Sequence, residues 1–319
     1  MNIEEIRNLC KQYGQSHLLQ YYDELNNKQQ TSLLKQIEEV DFTLLNMISK
    51  GATESVKGKI EPLGAVTVEE IKQKKGYFEQ IGLKALNKYK VGAVLLAGGM
   101  GTRLGLDKPK GMLNVGIKKD LYLFEQLIYN LMVEVRKADA WIPLFIMTSE
   151  KNNEDTVNFF NEHNYFGYNP EYVFFFVQEM APACSYDGKF YLEECGRLAT
   201  SPNGNGGWFS SLEKAGLLHT IHELGVEWLN VFAVDNVLQK IADPAFVGAT
   251  IDSGCVAGAK VVRKAGPDEK VGVLCLEDGK PSIVEYYEMT EEIRNSRDAN
   301  GDLLYNFGVI LNYLFQVDK

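Results

Sequence analysis

Residues Val91 to Ala97 form an apolar run that stops abruptly at Gly98, Gly99 and Gly101. Such a run, ended by glycine, reads as a buried strand delivered into a tight loop. Three glycines within four positions let the backbone curl closely around a ligand and aim N–H groups inward. Arg103, Lys108 and Lys110 follow within nine residues of Gly101, in a chain whose net charge is −10. Glycines that let phosphates approach, followed by cations that neutralise them, describe a nucleoside triphosphate site. The plain structural alternative is a strand-to-helix turn that happens to expose basic side chains.

The spacing excludes two better-known glycine loops. A Walker A loop needs Gly, four residues and then Gly-Lys-Ser/Thr, but Lys110 precedes Gly111 and no hydroxyl residue follows. A dinucleotide fingerprint begun at Gly99 needs a third glycine at 104, which is Leu. Asp120 lies at about the right remove for a ribose contact, yet it opens a helical stretch instead of ending a strand.

The rest of the chain reads as alternating elements. Ile3, Ile6, Cys10 and Tyr13 recur at helical spacing, as do Leu33, Ile37 and Val40; Asp41 is placed to cap a further helix carrying Leu44, Leu45 and Ile48. Residues 51–66 read as an extended linker and 67–88 as a helix. Strands are expected at 91–97, 143–148, 172–178, 229–235, 255–262, 271–276 and 282–287, and helices at 121–137, 152–163 and 208–224. Leu121, Phe124, Leu127, Leu131 and Val135 share one helical face, so that helix packs on a sheet. This order predicts an α/β fold with a doubly wound, mostly parallel sheet, preceded by an N-terminal helical region. The expected division is 1–88, helices and linker, and 89–319, the ligand-binding domain.

A chain of 319 residues with 45% hydrophobic and 24% charged residues has material for a large core. Its acidic balance argues against a nucleic-acid surface and suits a small polyanionic ligand met by a local basic loop. Five scattered cysteines without Cys-x-x-Cys spacing read as reduced thiols. The acidic first residues lack a signal peptide's apolar stretch, and no run is long enough to span a membrane, so a cytoplasmic location is expected. His219 and His222, at i and i+3, lack a third ligand and read as surface residues.

Leu96 to Gly105 (Leu-Ala-Gly-Gly-Met-Gly-Thr-Arg-Leu-Gly), then Pro109-Lys110-Gly111, resembles the signature loop of the UDP-sugar pyrophosphorylases, most of all the UDP-N-acetylhexosamine type. Gln178 to Cys184 is similar to that family's uracil loop. Ser201 to Gly207 resembles its Pro-Asp-Gly-Asn-Gly-Gly segment, with Asn203 where Asp is usual. Val234-Asp235-Asn236, Gly258 to Val262, Val271-Gly272-Val273 and Ile283 to Tyr286 continue the series in the family's order, as do Tyr13-Gly14-Gln15 and His17-Leu18-Leu19 near the start. The resemblance implies a nucleotide-diphospho-sugar transferase (Rossmann-like) fold. It also implies uridylyl transfer from UTP to a sugar 1-phosphate, with N-acetylglucosamine 1-phosphate as the expected sugar.

That reaction is an in-line displacement at the α-phosphorus by an oxygen already anionic at pH 7. It calls for positioning, cations and Mg2+, without a triad or a covalent nucleophile. Arg103 is expected to grip the β- and γ-phosphates and Lys110 to neutralise the α-phosphate region. The nucleotide stretch is Leu96, Ala97, Gly98, Gly99, Gly101 and Thr102, with Gln178 matching the uracil edge and Gly204 near the ribose. Asp235, after an apolar strand, is the expected Mg2+ ligand. Glu285, expected mid-strand, joins Asn205, Gly272 and Asn306 on the sugar side by resemblance.

Two departures stand out. In Asn306 to Asn312 the family's pattern has Asn where this chain has Val309, which cannot hydrogen-bond a sugar through its side chain. The chain also ends at Lys319, where family members continue into a C-terminal domain supplying another phosphate-contacting Lys; that domain is expected to be absent. The alternatives left open are UTP–glucose-1-phosphate or broad UDP-sugar chemistry, and a nucleotide-sugar-binding fragment deficient in turnover. The oligomeric state is left open.

Overall fold

A computed structural model describes residues 1–43, 45 and 58–319, which divide into two units. The first comprises residues 1–57 and 179–207, the second 58–178 and 208–319. Leu44 and Ile48 of the expected third helix, and residues 51–57 of the expected linker, lie outside the described residues.

In the first unit, helices Ile3–Gln12 and Asn27–Glu38 each begin with a capping box, Asn2 with Glu5 and Asn26 with Gln29. Their apolar stripes (Ile6, Cys10, Leu33 and Ile37) are buried with Phe42, Phe190 and Leu198. Short antiparallel pairs, Met180–Pro182 with Thr200–Pro202 and Leu192–Glu194 with Arg197–Leu198, complete the unit. Gln15, almost fully buried, locks the two stretches together. Its Nε2 donates to the Gly188 carbonyl at 2.7 Å, and its Oε1 accepts from the Phe190 N–H at 3.0 Å. The expected division at residue 88 is therefore replaced: residues 179–207 fold with the N-terminal helices.

The helix Val68–Asn87, grouped by sequence with the N-terminal region, belongs to the second unit. It crosses helix Pro244–Asp252 backbone to backbone: a Cβ on Gly82 would lie 2.0 Å from the Pro244 carbonyl oxygen, and one on Gly248 1.8 Å from that of Phe78. Only glycine permits this approach.

The second unit is built on a nine-stranded sheet. In chain order its strands are β1 (Ile60–Pro62), β2 (Val91–Leu96), β3 (Leu144–Thr148), β4 (Val173–Val177), β5 (Trp228–Ala233), β6 (Ala257–Arg263), β7 (Val273–Glu277), β8 (Lys280–Val284) and β9 (Phe307–Gln316). The order is β1-β7-β9-β5-β2-β3-β4, with β6 on β9 and β8 on β7. β5, β2, β3 and β4 are mutually parallel, and every residue of β2, β3 and β5 is buried, as expected of strands covered on both faces. The remaining strands join antiparallel.

Helices Leu123–Ala138 and Asn153–Glu162 follow β2 and β3. The single helix expected at 208–224 is two, Trp208–Lys214 and Leu217–Glu223, broken at Gly216 with φ +76°.

Candidate active site

Parallel pairing places the C-terminal ends of β2, β3, β4 and β5 along one edge of the sheet, where open α/β folds bind ligands. The segments leaving those ends carry most of the residues singled out by sequence.

Leu96 ends β2, and the loop 98–111 departs from there. It is braced internally: Gly101 N–H donates to the Lys108 carbonyl at 2.8 Å, Leu106 N–H to that of Gly101 at 3.1 Å, and Lys110 N–H to that of Gly99 at 3.1 Å. Gly105 closes the turn at φ +73°. The N–H groups of Gly98, Gly99 and Thr102 donate to no acceptor among the described residues. A Cβ on Gly99 would meet nothing within 4 Å, so space opens over the loop there. Arg103 is exposed and has no hydrogen bond or ion pair among the described residues.

The loop is anchored by a residue that sequence reading missed. Asn152 is fully buried; its Nδ2 donates to the carbonyls of Ala97 at 2.9 Å and Gly99 at 3.4 Å, and its Oδ1 accepts from Ser149 N–H at 2.7 Å. An Asn before a helix reads as a cap, yet this side chain makes no cap bond to helix Asn153–Glu162. Nothing local reveals a partner more than fifty residues away.

Gln178 follows β4 directly and is 5% exposed. Its N–H donates to the Thr148 carbonyl at 2.8 Å, while its side-chain amide has no hydrogen-bond partner among the described residues. The amide lies against Gly98: a Cβ there would stand 2.4 Å from Gln178 Nε2. The absence of a side chain at Gly98 is what seats this amide.

Asp235 follows β5 by two residues. Its Oδ1 accepts from Lys110 Nζ at 2.7 Å, with the Asp235 side chain 62% and that of Lys110 28% exposed. An ion pair this open is worth about 0–1 kcal/mol, so phosphate oxygens and a cation can readily part it. Asn236, not Asp235, caps the next turn, accepting from Leu238 N–H at 3.2 Å. The described residues contain no group of three or more His, Cys, Asp or Glu side chains able to hold a metal by themselves. An exposed carboxylate with a free Oδ2 fits a divalent ion whose other ligands are phosphate oxygens and water.

Glu285 lies just beyond β8, which ends at Val284, so the mid-strand expectation is corrected. Its backbone N–H is turned onto the Glu288 carboxylate at 2.9 Å, which ends the ladder. Its own carboxylate sits over Gly272, 3.1 Å from where a Cβ would be. Val309 N–H donates to the Gly272 carbonyl at 3.0 Å. Asn306 is 8% exposed and its side-chain amide is unpaired among the described residues. Burial, and then the Glu285 charge, hold the Tyr313 phenol above its usual range. Gly204, at φ +79°, and Asn205 are exposed and belong to the first unit. His219 and His222 are exposed, beside Glu223 and Asp318. All five cysteines are free thiols.

The family described as UTP–glucose-1-phosphate uridylyltransferase matches residues 42–319. The chain is 36% identical over 332 residues to the human UDP-N-acetylhexosamine pyrophosphorylase-like protein 1, covering 98% of this chain and 66% of that protein. It is 37% identical over 336 residues to a probable UDP-N-acetylglucosamine pyrophosphorylase of Dictyostelium discoideum, covering 99% and 69%. The crystal structure of the uridine diphosphate N-acetylglucosamine pyrophosphorylase from Trypanosoma brucei, in complex with inhibitor, superposes with a TM-score of 0.84 at 30% identity, over 98% of this chain and 67% of that one. The chain therefore spans about two thirds of the length of these relatives. On the match across 42–319, the chain belongs to the UTP–glucose-1-phosphate uridylyltransferase family.

Proposed function

We propose that this chain transfers a uridylyl group from UTP to a sugar 1-phosphate, N-acetylglucosamine 1-phosphate foremost, releasing pyrophosphate. The observation that carries the reading is the strand-end edge: a glycine loop with open N–H groups, an unpaired buried amide at Gln178, and the Lys110–Asp235 pair leave the same ends of parallel strands β2, β4 and β5 of one sheet.

The sugar phosphate oxygen attacks the α-phosphorus in line, and pyrophosphate leaves; no proton need be removed first. Arg103, unengaged among the described residues, is free to hold the β- and γ-phosphates with its planar fork. Lys110 exchanges Asp235 for the α-phosphate, where negative charge builds in the transition state. Asp235, so released, would hold Mg2+, which when bound would offset the charge of the phosphates. Gln178 offers one donor and one acceptor to the matching edge of uracil. By resemblance Gly204 is assigned to the ribose, and Asn205, Gly272, Glu285 and Asn306 to the sugar. Val309 brings no side-chain hydrogen bond beside Gly272, and glucose 1-phosphate is the alternative acceptor. Free thiols suit a cytoplasmic setting.

Initial rates of pyrophosphate release with UTP, CTP, ATP and GTP test the reading. UTP outperforms the others and Gln178→Ala flattens the preference; equal rates in the parent chain refute uracil readout.

A further inference from the structure

The loop that carries Asp235 is held by a buried relay of side-chain amides. Val234 N–H continues the ladder to the Leu96 carbonyl at 3.2 Å, and the chain then leaves the sheet until helix Pro244–Asp252. Gln239, 6% exposed, turns back and donates from Nε2 to the Ala233 carbonyl at 2.9 Å, across the base of the loop. Its Oε1 accepts from Asn312 Nδ2 at 3.0 Å, and the same nitrogen reaches the Lys240 carbonyl at 3.4 Å. Asn312, on β9 and fully buried, accepts at Oδ1 from Asn230 Nδ2 at 2.9 Å. Asn230, on β5 and also fully buried, donates to the Tyr313 carbonyl at 2.8 Å and accepts from Ala242 N–H at 2.7 Å. From the other side, Asn130 Nδ2 donates to the Val237 carbonyl at 2.7 Å and that of Gln239 at 3.3 Å.

Three amides removed from water, with donors and acceptors engaged in series, fix a loop far more narrowly than apolar packing would. A core built only for stability is at least as well served by apolar side chains at 230 and 312. What the relay adds is direction. It fixes the base of the loop at Ala233, two residues before Asp235, and its far end at Ala242, which adopts φ +48°. Asp235 itself is exposed and its carboxylate, among the described residues, bonds only the ammonium of Lys110, so its place is set by its backbone.

We infer that Gln239 is a positioning residue for Asp235: through the Asn230–Asn312–Gln239 relay it holds the carboxylate where a nucleotide-bound divalent cation meets it. The inference rests on the reading of Asp235 as the metal ligand. Groups that orient a ligand without touching the metal are commonly worth about 10- to 100-fold in metal affinity.

The experiment compares the parent chain with Gln239→Met, Gln239→Glu and Asp235→Asn. Calorimetric binding of Mn2+ to each chain saturated with UTP is measured beside the Mg2+ dependence of pyrophosphate release and a urea unfolding curve. Methionine keeps the length and bulk of Gln239 without its amide; glutamate keeps an acceptor for Asn312 and loses the donor to Ala233. Both Gln239 variants are expected to weaken Mn2+ binding and raise half-saturating Mg2+ by roughly tenfold or more, with the KM for UTP at saturating Mg2+ within about twofold of the parent. Within an Asp235→Asn background, Gln239→Met should add nothing further to the Mn2+ affinity. If Asp235→Asn shifts metal binding while a folded Gln239 variant does not, the inference is overturned and the metal reading stands. If Asp235→Asn leaves metal binding at the parental value, the metal reading itself falls and this inference falls with it. Should Gln239→Met not unfold cooperatively, Gln239→Glu decides by the same criteria. Should neither Gln239 variant unfold cooperatively, the relay serves the fold first and the inference is overturned.

Discussion

Replacing Gly98 with alanine displaces the Gln178 amide that the glycine seats. Its backbone lies outside the left-handed region, so alanine is conformationally acceptable there and the cost is steric alone. The new Cβ would stand 2.4 Å from Gln178 Nε2, 2.9 Å from Cδ and 3.3 Å from Oε1. Because the atoms met belong to a side-chain end, the amide gives way and the fold survives. Restoring ordinary contact moves Nε2 by about 1 Å, more than the half-ångström range over which an amide hydrogen bond stays sound. A base edge that loses one buried partner forfeits about 1–3 kcal/mol, or roughly 5- to 150-fold in kcat/KM for UTP. CTP never made that bond properly, so its efficiency falls less and the UTP-to-CTP ratio collapses. Continuous pyrophosphate-release assays with both nucleotides read this directly. Gly99→Ala is the control, since its Cβ meets no protein atom within 4 Å; a loss there reports the approach of a ligand. If Gly98→Ala keeps both the parental UTP efficiency and the parental ratio, Gln178 does not read the base from this position.

Other perturbations follow from the same geometry. Arg103→Ala removes a charge contact that strengthens as pyrophosphate leaves, so kcat should fall by roughly 100-fold or more; single-turnover rates check this, and parental turnover removes Arg103 from the chemistry. Gly248→Ala drives a Cβ into the Phe78 carbonyl oxygen, where backbone cannot yield cheaply, and should lower unfolding free energy by about 1–3 kcal/mol or more without moving nucleotide KM. Burial pushes the Cys10 thiol up to about 11 from 9.0, so the folded chain keeps a proton that the unfolded chain sheds. Stability from this group is complete below pH 9 and declines as pH rises from 9 to 11, by on the order of 2 kcal/mol. Urea unfolding at pH 8 and pH 10.5 should show that loss in the parent and not in Cys10→Ala.

The parallel half of the sheet was legible because its strands are buried on both faces and read as apolar runs: the strands expected at 91–97, 143–148 and 229–235 are Val91–Leu96, Leu144–Thr148 and Trp228–Ala233, each within two residues at its end. The placement of Gly98, Gln178 and Asp235 just past strand ends was legible for the same reason, since each follows such a run. β9, the longest strand of the sheet, escaped. Gly308 and Asn312 interrupt its pattern, and Leu311 turns to φ +52° where the register with β6 slips between Ala259 and Val261. Helix Pro244–Asp252 carried its start signal, Asp243 capping and Pro244 at the first position. It is buried on several sides by Ala245, Val247, Gly248 and Thr250, so no polar stripe marked it. Asn152, Gln239 and Gln15 stayed invisible because their partners are brought to them by tertiary folding. The same is true of the way residues 179–207 join the first unit through Gln15.

Direct transfer of the uridylyl group is the step on which the proposed function turns. Its most direct test uses UTP labelled at the α-phosphorus, with N-acetylglucosamine 1-phosphate and Mg2+. Label is expected in a UDP-sugar, with unlabelled pyrophosphate released in equal amount and no label on the protein at any time. Orthophosphate as the released product, or label retained covalently on the chain, would contradict it.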